Sequence, residues 1–205
     1  MDRISLTLYI NLDKRPGKRK AIEAELSKFA LPKVERFAAI ARRRGYVGCS
    51  ESHIGCLEKA MAAGCPNVFI CEDDFQCLNP ARLNASLAAF LDSGTEWDVI
   101  VLCGNVLRPA TKHSDVALRI HNCQTTAGYI VAKHYMPTLL TNFRQGLAAL
   151  KARDRRSFCI DMHWKALQRR DRWFCLQPFT CIQRPGMSDI EGRHVNYSSE
   201  LLKIG

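Results

Sequence analysis

Strand-like and helix-like segments alternate through the first half of this chain, and this alternation limits its fold more than any other feature. Short apolar runs predict strands, and longer segments with apolar residues three and four apart predict helices. The predicted elements are a strand at 4–10, a helix at 16–29, a strand at 34–38, a helix capped by Ser50 that carries Ile54, Leu57 and Met61, a strand at 68–71, a helix at 80–92 capped by Asn79, and a strand at 99–103. This order is typical of an α/β fold with a mostly parallel central sheet and helices on both faces.

The second half of the chain has a less regular pattern. It predicts strands at 117–120, 128–131 and 173–176, a helix at 134–150, and a helix from Asp161 to about residue 170. The segment from Gln177 onward contains several prolines and glycines and predicts an irregular tail that wraps back over the sheet. A length of 205 residues without repeats or linkers predicts a single domain over residues 1–205.

The strand at 68–71 ends in three consecutive acids, Glu72, Asp73 and Asp74. Open α/β sheets bind ligands at the carboxyl ends of their strands. Three carboxylates together raise one another's pKa values unless a cation or several donors compensate them, and Mg²⁺ or Mn²⁺ bound with substrate phosphates would do so. The alternative is that these acids cap the next helix or lie in a solvated loop.

A net charge of +10 arises from clusters of basic residues. These clusters are Lys14, Arg15, Lys18, Arg19 and Lys20; Arg42 to Arg44; residues 151–156; and Arg169, Arg170 and Arg172. Such clusters attract phosphates, nucleic acid or anionic membranes, so they permit a peripheral membrane contact. No aromatic interleaving and no zinc-finger or RNA-recognition signature accompanies them, which disfavours a specific nucleic-acid partner.

Ten cysteines are scattered through the chain without a CxxC pair, which disfavours a zinc ribbon or a thioredoxin-like site. His53 and Cys56 lie one helical turn apart and could form half of a metal site, but core packing is the favoured interpretation. No apolar run is long enough to cross a bilayer, and no cleavage site follows the first strand. These features predict a cytoplasmic protein.

The chain contains six short sequence blocks whose order along the chain is more informative than any one block alone. They are residues 9–16 with Arg19 (YINLDKRP), residues 35–39 (ERFAA), residues 48–53 (GCSESH), residues 68–74 (VFICEDD), residues 126–129 (TAGY), and residues 183–190 with SDI at its end. In these blocks the chain resembles glycosyltransferase family 25, which includes bacterial lipooligosaccharide galactosyltransferases and collagen galactosyltransferases. The resemblance implies a GT-A type fold, a UDP-sugar donor, a glycan or glycoconjugate acceptor, Mn²⁺ or Mg²⁺, and inverting transfer.

The same resemblance suggests roles for individual residues. Asp74 is the first choice for a direct metal ligand, Glu72 would bind the metal through water or contact the ribose, and Asp73 fits either role. His194 in the tail is a candidate third ligand. Candidates for contact with the nucleotide sugar are Asn11, Arg15, Arg19, Ser52 and His53. Simpler interpretations are a solvated helix start for the two arginines, packing for Ser52 and His53, and a surface position for His194.

Inverting transfer also needs a base that takes the proton of the acceptor hydroxyl. Asp161 and Asp189 are the candidates, with Asp161 preferred because nearby Trp164 could stack on a sugar. The alternatives are a helix cap for Asp161 and a turn residue for Asp189. Two other functions remain open: a nuclease or other phosphoryl-transfer enzyme using Asp98 for a second metal, and a noncatalytic basic module.

Overall fold

The computed structural model describes residues 1–205 and is built around a large mixed sheet. The strands, in chain order, are β1 Leu6–Asn11, β2 Val34–Ala38, β3 Asn67–Glu72, β4 Phe75–Cys77, β5 Val99–Val106, β6 Ala110–Lys112, β7 Ala117–Ile120, β8 Cys123–Ala132, β9 Trp173–Leu176, β10 Cys181–Gln183, β11 Gly186–Ser188 and β12 Arg193–Val195. Eight of them form the central sheet in the order β2-β1-β3-β8-β5-β9-β7-β6.

Most strands of the central sheet run in one direction. β1 pairs in parallel with β2 and β3, and β5 pairs in parallel with β9. β8 lies between β3 and β5 and is antiparallel to both, so β3 and β5 point the same way. The predicted α/β fold with a mostly parallel central sheet is therefore confirmed, with β7 and β8 as the reversed strands.

The helices cover both faces of the sheet, as predicted. They are α1 Pro16–Leu26, α2 Gly45–Ala62, α3 Pro80–Asp92, α4 Met136–Arg153, α5 Ile160–His163, α6 Lys165–Arg170 and α7 Ser198–Leu201. Successive side chains of β3 point to opposite faces of the sheet. Val68 and Ile70 pack in a core with α2 and α4, whereas Phe69 and Cys71 pack in a core with α1 and α3. None of the helices combines the length and apolar character needed to span a bilayer.

Two predicted helix starts are wrong. α2 begins at Gly45 rather than after Ser50, and the Ser50 hydroxyl donates to the Tyr46 carbonyl at 2.8 Å inside the helix. Asp161 lies within the first turn of the short helix α5 and does not cap a helix that continues to residue 170. In both cases a residue of a type that often caps helices makes a different hydrogen bond, which its residue type alone does not predict.

The cap predicted for α3 is confirmed, because the Asn79 side chain accepts a hydrogen bond from the Arg82 amide at 3.0 Å. The tail is more ordered than its composition suggested. β10 pairs with β4 directly after the acid triplet, and β11 pairs with β12 as a hairpin. The tail therefore contributes to the edge of the sheet where the acids lie.

Candidate functional site

The ends of three neighbouring strands, β1, β3 and β8, meet at one edge of the sheet. β1 ends at Asn11 and β3 at Glu72, and Thr125 and Thr126 lie nearby in the first half of the reversed strand β8. Asp73 and Asp74 follow β3 directly, in the turn that leads to β4. Parallel pairing of β1 with β3 places their carboxyl ends side by side, so polar residues that are far apart in sequence become neighbours.

The three acids have different surroundings. Glu72 Oε1 accepts a hydrogen bond from Thr126 Oγ1 at 2.6 Å. Asp73 Oδ2 accepts one from Asn11 Nδ2 at 2.7 Å, and Asp73 Oδ1 lies 3.4 Å from Lys18 Nζ. Asp74 Oδ1 is buried without a hydrogen-bond partner. The triplet therefore contains two carboxylates that accept hydrogen bonds from side chains of other strands or loops and a third, Asp74, whose Oδ1 has no partner.

The pKa values follow from these surroundings. Burial, followed by repulsion from Glu72, raises the pKa of Asp74 from 3.8 to about 7. Burial also raises the pKa of Asp73. Burial acts in the same direction on Glu72, but contacts with His53 and Thr126 outweigh it and lower the pKa of that carboxyl. A divalent cation would relieve the charge on Asp74, and carboxylate oxygens are ligands that Mg²⁺ and Mn²⁺ prefer, so the residues fit such an ion.

A cavity of about 270 Å³ adjoins the acids on the α1 and α2 side, and we call it the basic cavity. The acids Glu72, Asp73, Asp74 and Asp189 line it together with the basic side chains Lys14, Lys18, Arg42 and Arg43. Lys14 and Lys18 lie four residues apart around the start of α1. The cavity therefore combines a place for a cation with positive charges that could hold an anion beside it.

The segment before α2 packs closely onto that helix. A Cβ atom on Gly48 would lie 2.2 Å from the carbonyl oxygen of Ile40, so only glycine permits this approach. Ser52 Oγ donates to the Gly48 carbonyl at 2.7 Å and accepts from the Ile40 amide at 2.9 Å. These contacts hold Arg42 and Arg43 at the basic cavity.

A second and larger cavity of about 530 Å³ lies on the other side of the sheet edge, and we call it the wide cavity. Asp161 lines it, as do Tyr46 and Tyr197. Cys49, Glu72, Ser188 and Ile190 line both cavities. A molecule in the basic cavity would therefore adjoin a molecule in the wide cavity at Glu72.

Of the two candidate bases, Asp161 is the one on the wide cavity. Its Oδ2 accepts a hydrogen bond from the Thr125 amide at 3.3 Å, and burial raises its pKa despite that bond. Thr125 has a φ of 77°, an uncommon conformation for a β-branched residue. This conformation accompanies the hydrogen bond between the start of β8 and α5.

Asp189 lines the basic cavity and is paired with positive charge. Its Oδ1 lies 2.7 Å from Arg15 Nη2 and 3.2 Å from Lys14 Nζ. Burial acts to raise its pKa, but these two partners outweigh burial and lower it. A carboxylate held in this way is a weaker proton acceptor than Asp161.

Several predicted contact residues lie elsewhere or are engaged within the chain. Arg15 is paired with Asp189, and Arg19 is paired with Glu23 at 2.9 Å, and neither arginine lines the basic cavity. His194 is exposed on β12 and lines neither the basic nor the wide cavity. Asn11 does line the basic cavity, where its amide holds Asp73.

The suggestion that Trp164 stacks on a sugar is wrong. Trp164 is fully buried, and its Nε1 donates to the Cys123 carbonyl at 2.9 Å. Cys56 is buried in the core, as the favoured packing interpretation predicted, whereas Cys49 lies close to His53 and Glu72. The separation of four residues between Cys49 and His53 was the signal that could have revealed this, since it places them on one face of a helix.

The contact between Thr126 and Glu72 could not be predicted from the local sequence. Thr126 reaches Glu72 only because β8 is inserted between β3 and β5. All ten cysteines are free. Asp98 lies at the start of β5, where it bonds Arg172 and His134, and therefore at the opposite edge from the acid triplet.

No protein-family model and no curated protein matches this chain. Solved structures do share its fold. A mannose-1-phosphate geranyltransferase from Thermus thermophilus aligns with a TM-score of 0.52 and 10% identity over 89% of this chain and 74% of that one. A glycosyltransferase involved in glycosylation of the major capsid of PBCV-1 aligns with a TM-score of 0.52 and 10% identity over 87% of this chain and 92% of that one. At such identities the likeness establishes the fold, which is the GT-A type predicted.

Proposed function

We propose that this protein is a metal-dependent inverting glycosyltransferase that moves a hexose from a UDP-sugar to a hydroxyl group of a glycan or glycoconjugate. The observation that carries the proposal is the buried, unpartnered Asp74 oxygen at the carboxyl end of β3. It lies in the basic cavity, which adjoins the wide cavity lined by the half-buried acid Asp161. The resemblance to family 25 favours galactose or glucose as the hexose.

Glu72 and Asp74 would hold Mn²⁺ or Mg²⁺ in this enzyme. The ion, when bound, would offset the negative charge of the departing nucleotide diphosphate. Lys14, Lys18 and the arginines of the basic cavity would attract the same diphosphate. Asp73 is held by Asn11 and Lys18, so it would help to orient Lys18 beside the donor.

The acceptor would occupy the wide cavity, whose volume of about 530 Å³ is within the range of small-molecule sites. Asp161 would accept the proton of the attacking hydroxyl. Its raised pKa suits this role, because a carboxylate with a higher proton affinity is a stronger base. The Thr125 amide fixes the carboxylate and leaves its other oxygen for the acceptor.

A phosphoryl-transfer enzyme with two metal ions is less consistent with this arrangement. Asp98 was the acid proposed for the second ion, but it lies at the opposite edge of the sheet and is bonded to Arg172 and His134. A noncatalytic basic module would give no role to the buried, unpartnered Oδ1 of Asp74. The basic clusters remain compatible with a peripheral membrane contact and a cytoplasmic location.

A thermal-shift experiment tests the proposal. The protein is melted with Mn²⁺ and a panel of UDP-, GDP- and CDP-sugars, and the same panel is applied to Asp74→Ala. At a donor concentration of 100 Kd, binding stabilises by about 2.7 kcal/mol, which corresponds to an increase in Tm of about 5–10 °C for a chain of this size. We expect this increase with UDP-sugars and Mn²⁺ together, and we expect Asp74→Ala to lose it.

The matched control is Asp2→Ala, because Asp2 is an exposed acid far from the cavities. This variant should retain the full increase in Tm. Stabilisation by oligonucleotides but by no nucleotide sugar would overturn the proposal. A radiolabelled-sugar transfer assay against an acceptor panel would then identify the hydroxyl that is modified.

A further inference from the structure

Three potential metal ligands converge where the basic and wide cavities meet. Cys49 and His53 lie one turn apart on α2, and they face Glu72 at the end of β3. One ligand atom from each residue lies within 4.8 Å of the others, and His53 Nε2 lies 3.5 Å from Glu72 Oε1. We call this group the Cys49 cluster.

The orientation of His53 is an independent sign of a ligand. The ring is fully buried, and its Nδ1 lies 2.8 Å from the Tyr129 hydroxyl. Tyr129 stacks on the ring at a centroid distance of 5.7 Å, and Phe143 packs against its edge. His53 Nε2 is left buried without a hydrogen-bond partner and close to Glu72. Packing thus fixes the ring with Nε2 free of hydrogen bonds and 3.5 Å from Glu72 Oε1.

We propose that the Cys49 cluster binds a thiophilic divalent ion such as Zn²⁺ at a site that shares Glu72 with the hard-metal site of Glu72 and Asp74. A thiolate, an imidazole nitrogen and a carboxylate form a donor set that suits Zn²⁺ better than Mg²⁺ or Mn²⁺. In a tetrahedral zinc site, bonds of about 2.0–2.3 Å place ligand atoms about 3.3–3.8 Å apart. The His53 to Glu72 distance already falls in that range, and the remaining separations need only small side-chain movements.

The residues around the Cys49 cluster would leave a fourth coordination position open and support His53 with a hydrogen bond. Cys49 and Glu72 line both cavities, so a fourth coordination position would open to solvent or to a bound molecule. With the ion on Nε2, His53 keeps its proton on Nδ1 and donates it to the Tyr129 oxygen, which is the usual support for a metal-bound histidine. Binding replaces the Cys49 thiol proton, so one proton is released for each ion bound.

The cluster and the proposed donor site share Glu72. If the proposed function holds, zinc in the Cys49 cluster therefore competes with Mn²⁺ for that carboxylate and inhibits sugar transfer. Zinc binding itself does not depend on the proposed function, because it needs no nucleotide sugar.

Co²⁺ spectroscopy tests the inference without an activity assay. Reduced, metal-free protein is titrated with Co²⁺, and the near-ultraviolet thiolate-to-cobalt charge-transfer band is followed, with displacement by Zn²⁺ to confirm a common site. We expect the wild-type protein to show this band. Cys49→Ser and Cys49→Ala should lose it, with circular dichroism showing that at least one of these variants is folded.

Three further variants make the assignment specific. Cys159→Ser is the matched control, because Cys159 lines the wide cavity but lies outside the cluster, and this variant should keep the band. Tyr129→Phe should weaken Co²⁺ binding about 10–100-fold, because it removes the hydroxyl that supports His53. Asp74→Asn should keep the band while losing the Mn²⁺-dependent response to nucleotide sugars.

Absence of the band in the wild-type protein, or its survival in a folded Cys49 variant, would overturn the inference. Either result would leave the proposed glycosyltransferase function standing if the UDP-sugar and Mn²⁺ thermal shift is still observed. Conversely, a cobalt band without any response to nucleotide sugars would support the Cys49 cluster and contradict the proposed function.

Discussion

Asn11 Nδ2 donates a hydrogen bond to Asp73 Oδ2 at 2.7 Å and thereby links the carboxyl ends of two parallel strands. The same amide group donates to the Arg15 carbonyl at 3.2 Å, and Asn11 Oδ1 accepts from Arg36 Nε at 3.3 Å. All of these contacts lie within the chain, and Asn11 is 1% exposed. Asn11 therefore positions Asp73 in the acid triplet.

Replacing Asn11 by aspartate should disturb this edge of the sheet. The Asn11→Asp variant removes the donor and places a fourth carboxylate against Asp73. We expect the free energy of unfolding at pH 7 to fall by about 1.5–3 kcal/mol, as for loss of a hydrogen bond to a charged group. Urea denaturation measures the change. The control is Asn122→Asp, whose more exposed side chain should cost less than about 0.5 kcal/mol; equal losses would contradict the role of Asn11.

The two candidate bases should differ in their kinetic effects. Asp161→Asn should lower kcat by about 10²–10⁴-fold while leaving the thermal response to nucleotide sugar intact, because Asp161 lines only the wide cavity. Asp189→Asn should mainly change KM for the donor, because it frees Lys14 and Arg15 from their ion pairs. A larger loss of kcat in Asp189→Asn than in Asp161→Asn would reverse the assignment.

The pH dependence of transfer follows from the same residue. Burial raises the pKa of Asp161 above its ordinary value of 3.8, and a base must be deprotonated to act. We therefore expect kcat/KM to fall as the pH decreases through that raised pKa, at a pH above the usual aspartate range. Initial rates across a pH series measure this acid limb. With Mn²⁺ held at a saturating concentration, so that protonation of Asp74 does not limit the rate, the limb should disappear from the residual activity of Asp161→Asn.

Trp164 should affect stability and not acceptor binding. It is fully buried, and its indole Nε1 donates to the Cys123 carbonyl at 2.9 Å. Trp164→Phe should lower the free energy of unfolding by about 1–3 kcal/mol, because it removes a buried donor and some packing volume. KM for the acceptor should stay unchanged. Trp97→Phe, at a partly buried position, is the control and should cost less; a rise in acceptor KM specific to Trp164→Phe would restore the stacking interpretation.

Asp98 should contribute to stability far from the candidate site. It accepts hydrogen bonds from the Arg172 side chain and backbone, and one of its oxygens lies 2.7 Å from His134 Nε2. Burial acts to raise its pKa, but these partners outweigh burial and lower it below 3.8. Its stabilising effect is therefore complete above pH 3.8 and is lost as the pH falls through the lowered pKa.

We expect Asp98→Asn to lower the free energy of unfolding by about 1.5–3 kcal/mol at pH 7. The difference from the wild-type protein should shrink as the solution becomes more acidic than pH 3.8. Urea denaturation at several pH values measures it. Asp115→Asn is the control, because Asp115 is exposed and its pair with Lys112 contributes little; a pH-independent loss in Asp98→Asn would contradict the ionic contribution.

Local sequence patterns were sufficient for most strands and for the helix that Asn79 caps. The strands at 34–38 and 173–176 occur at the predicted residues, and for the second of them (WFCL) the reason is a short apolar run rich in aromatic residues, which favours a strand. The predicted starts of α2 and of the helix after Asp161 failed for a different reason. Ser50 and Asp161 resemble capping residues locally, but each makes its hydrogen bond elsewhere.

The sequence by itself determined that Glu72, Asp73 and Asp74 come at the end of a buried strand, because a short apolar run that follows a proline and an asparagine is typical of such a strand. Only the tertiary structure decided what surrounds each of them. Parallel pairing brings Asn11 to Asp73, the insertion of β8 brings Thr126 to Glu72, and α2 brings Cys49 and His53 to the same carboxylate. Asn11 and Asp73 are 62 residues apart along the chain, and Thr126 and Glu72 are 54 apart, so no local pattern encodes the contacts that set the charge of each acid.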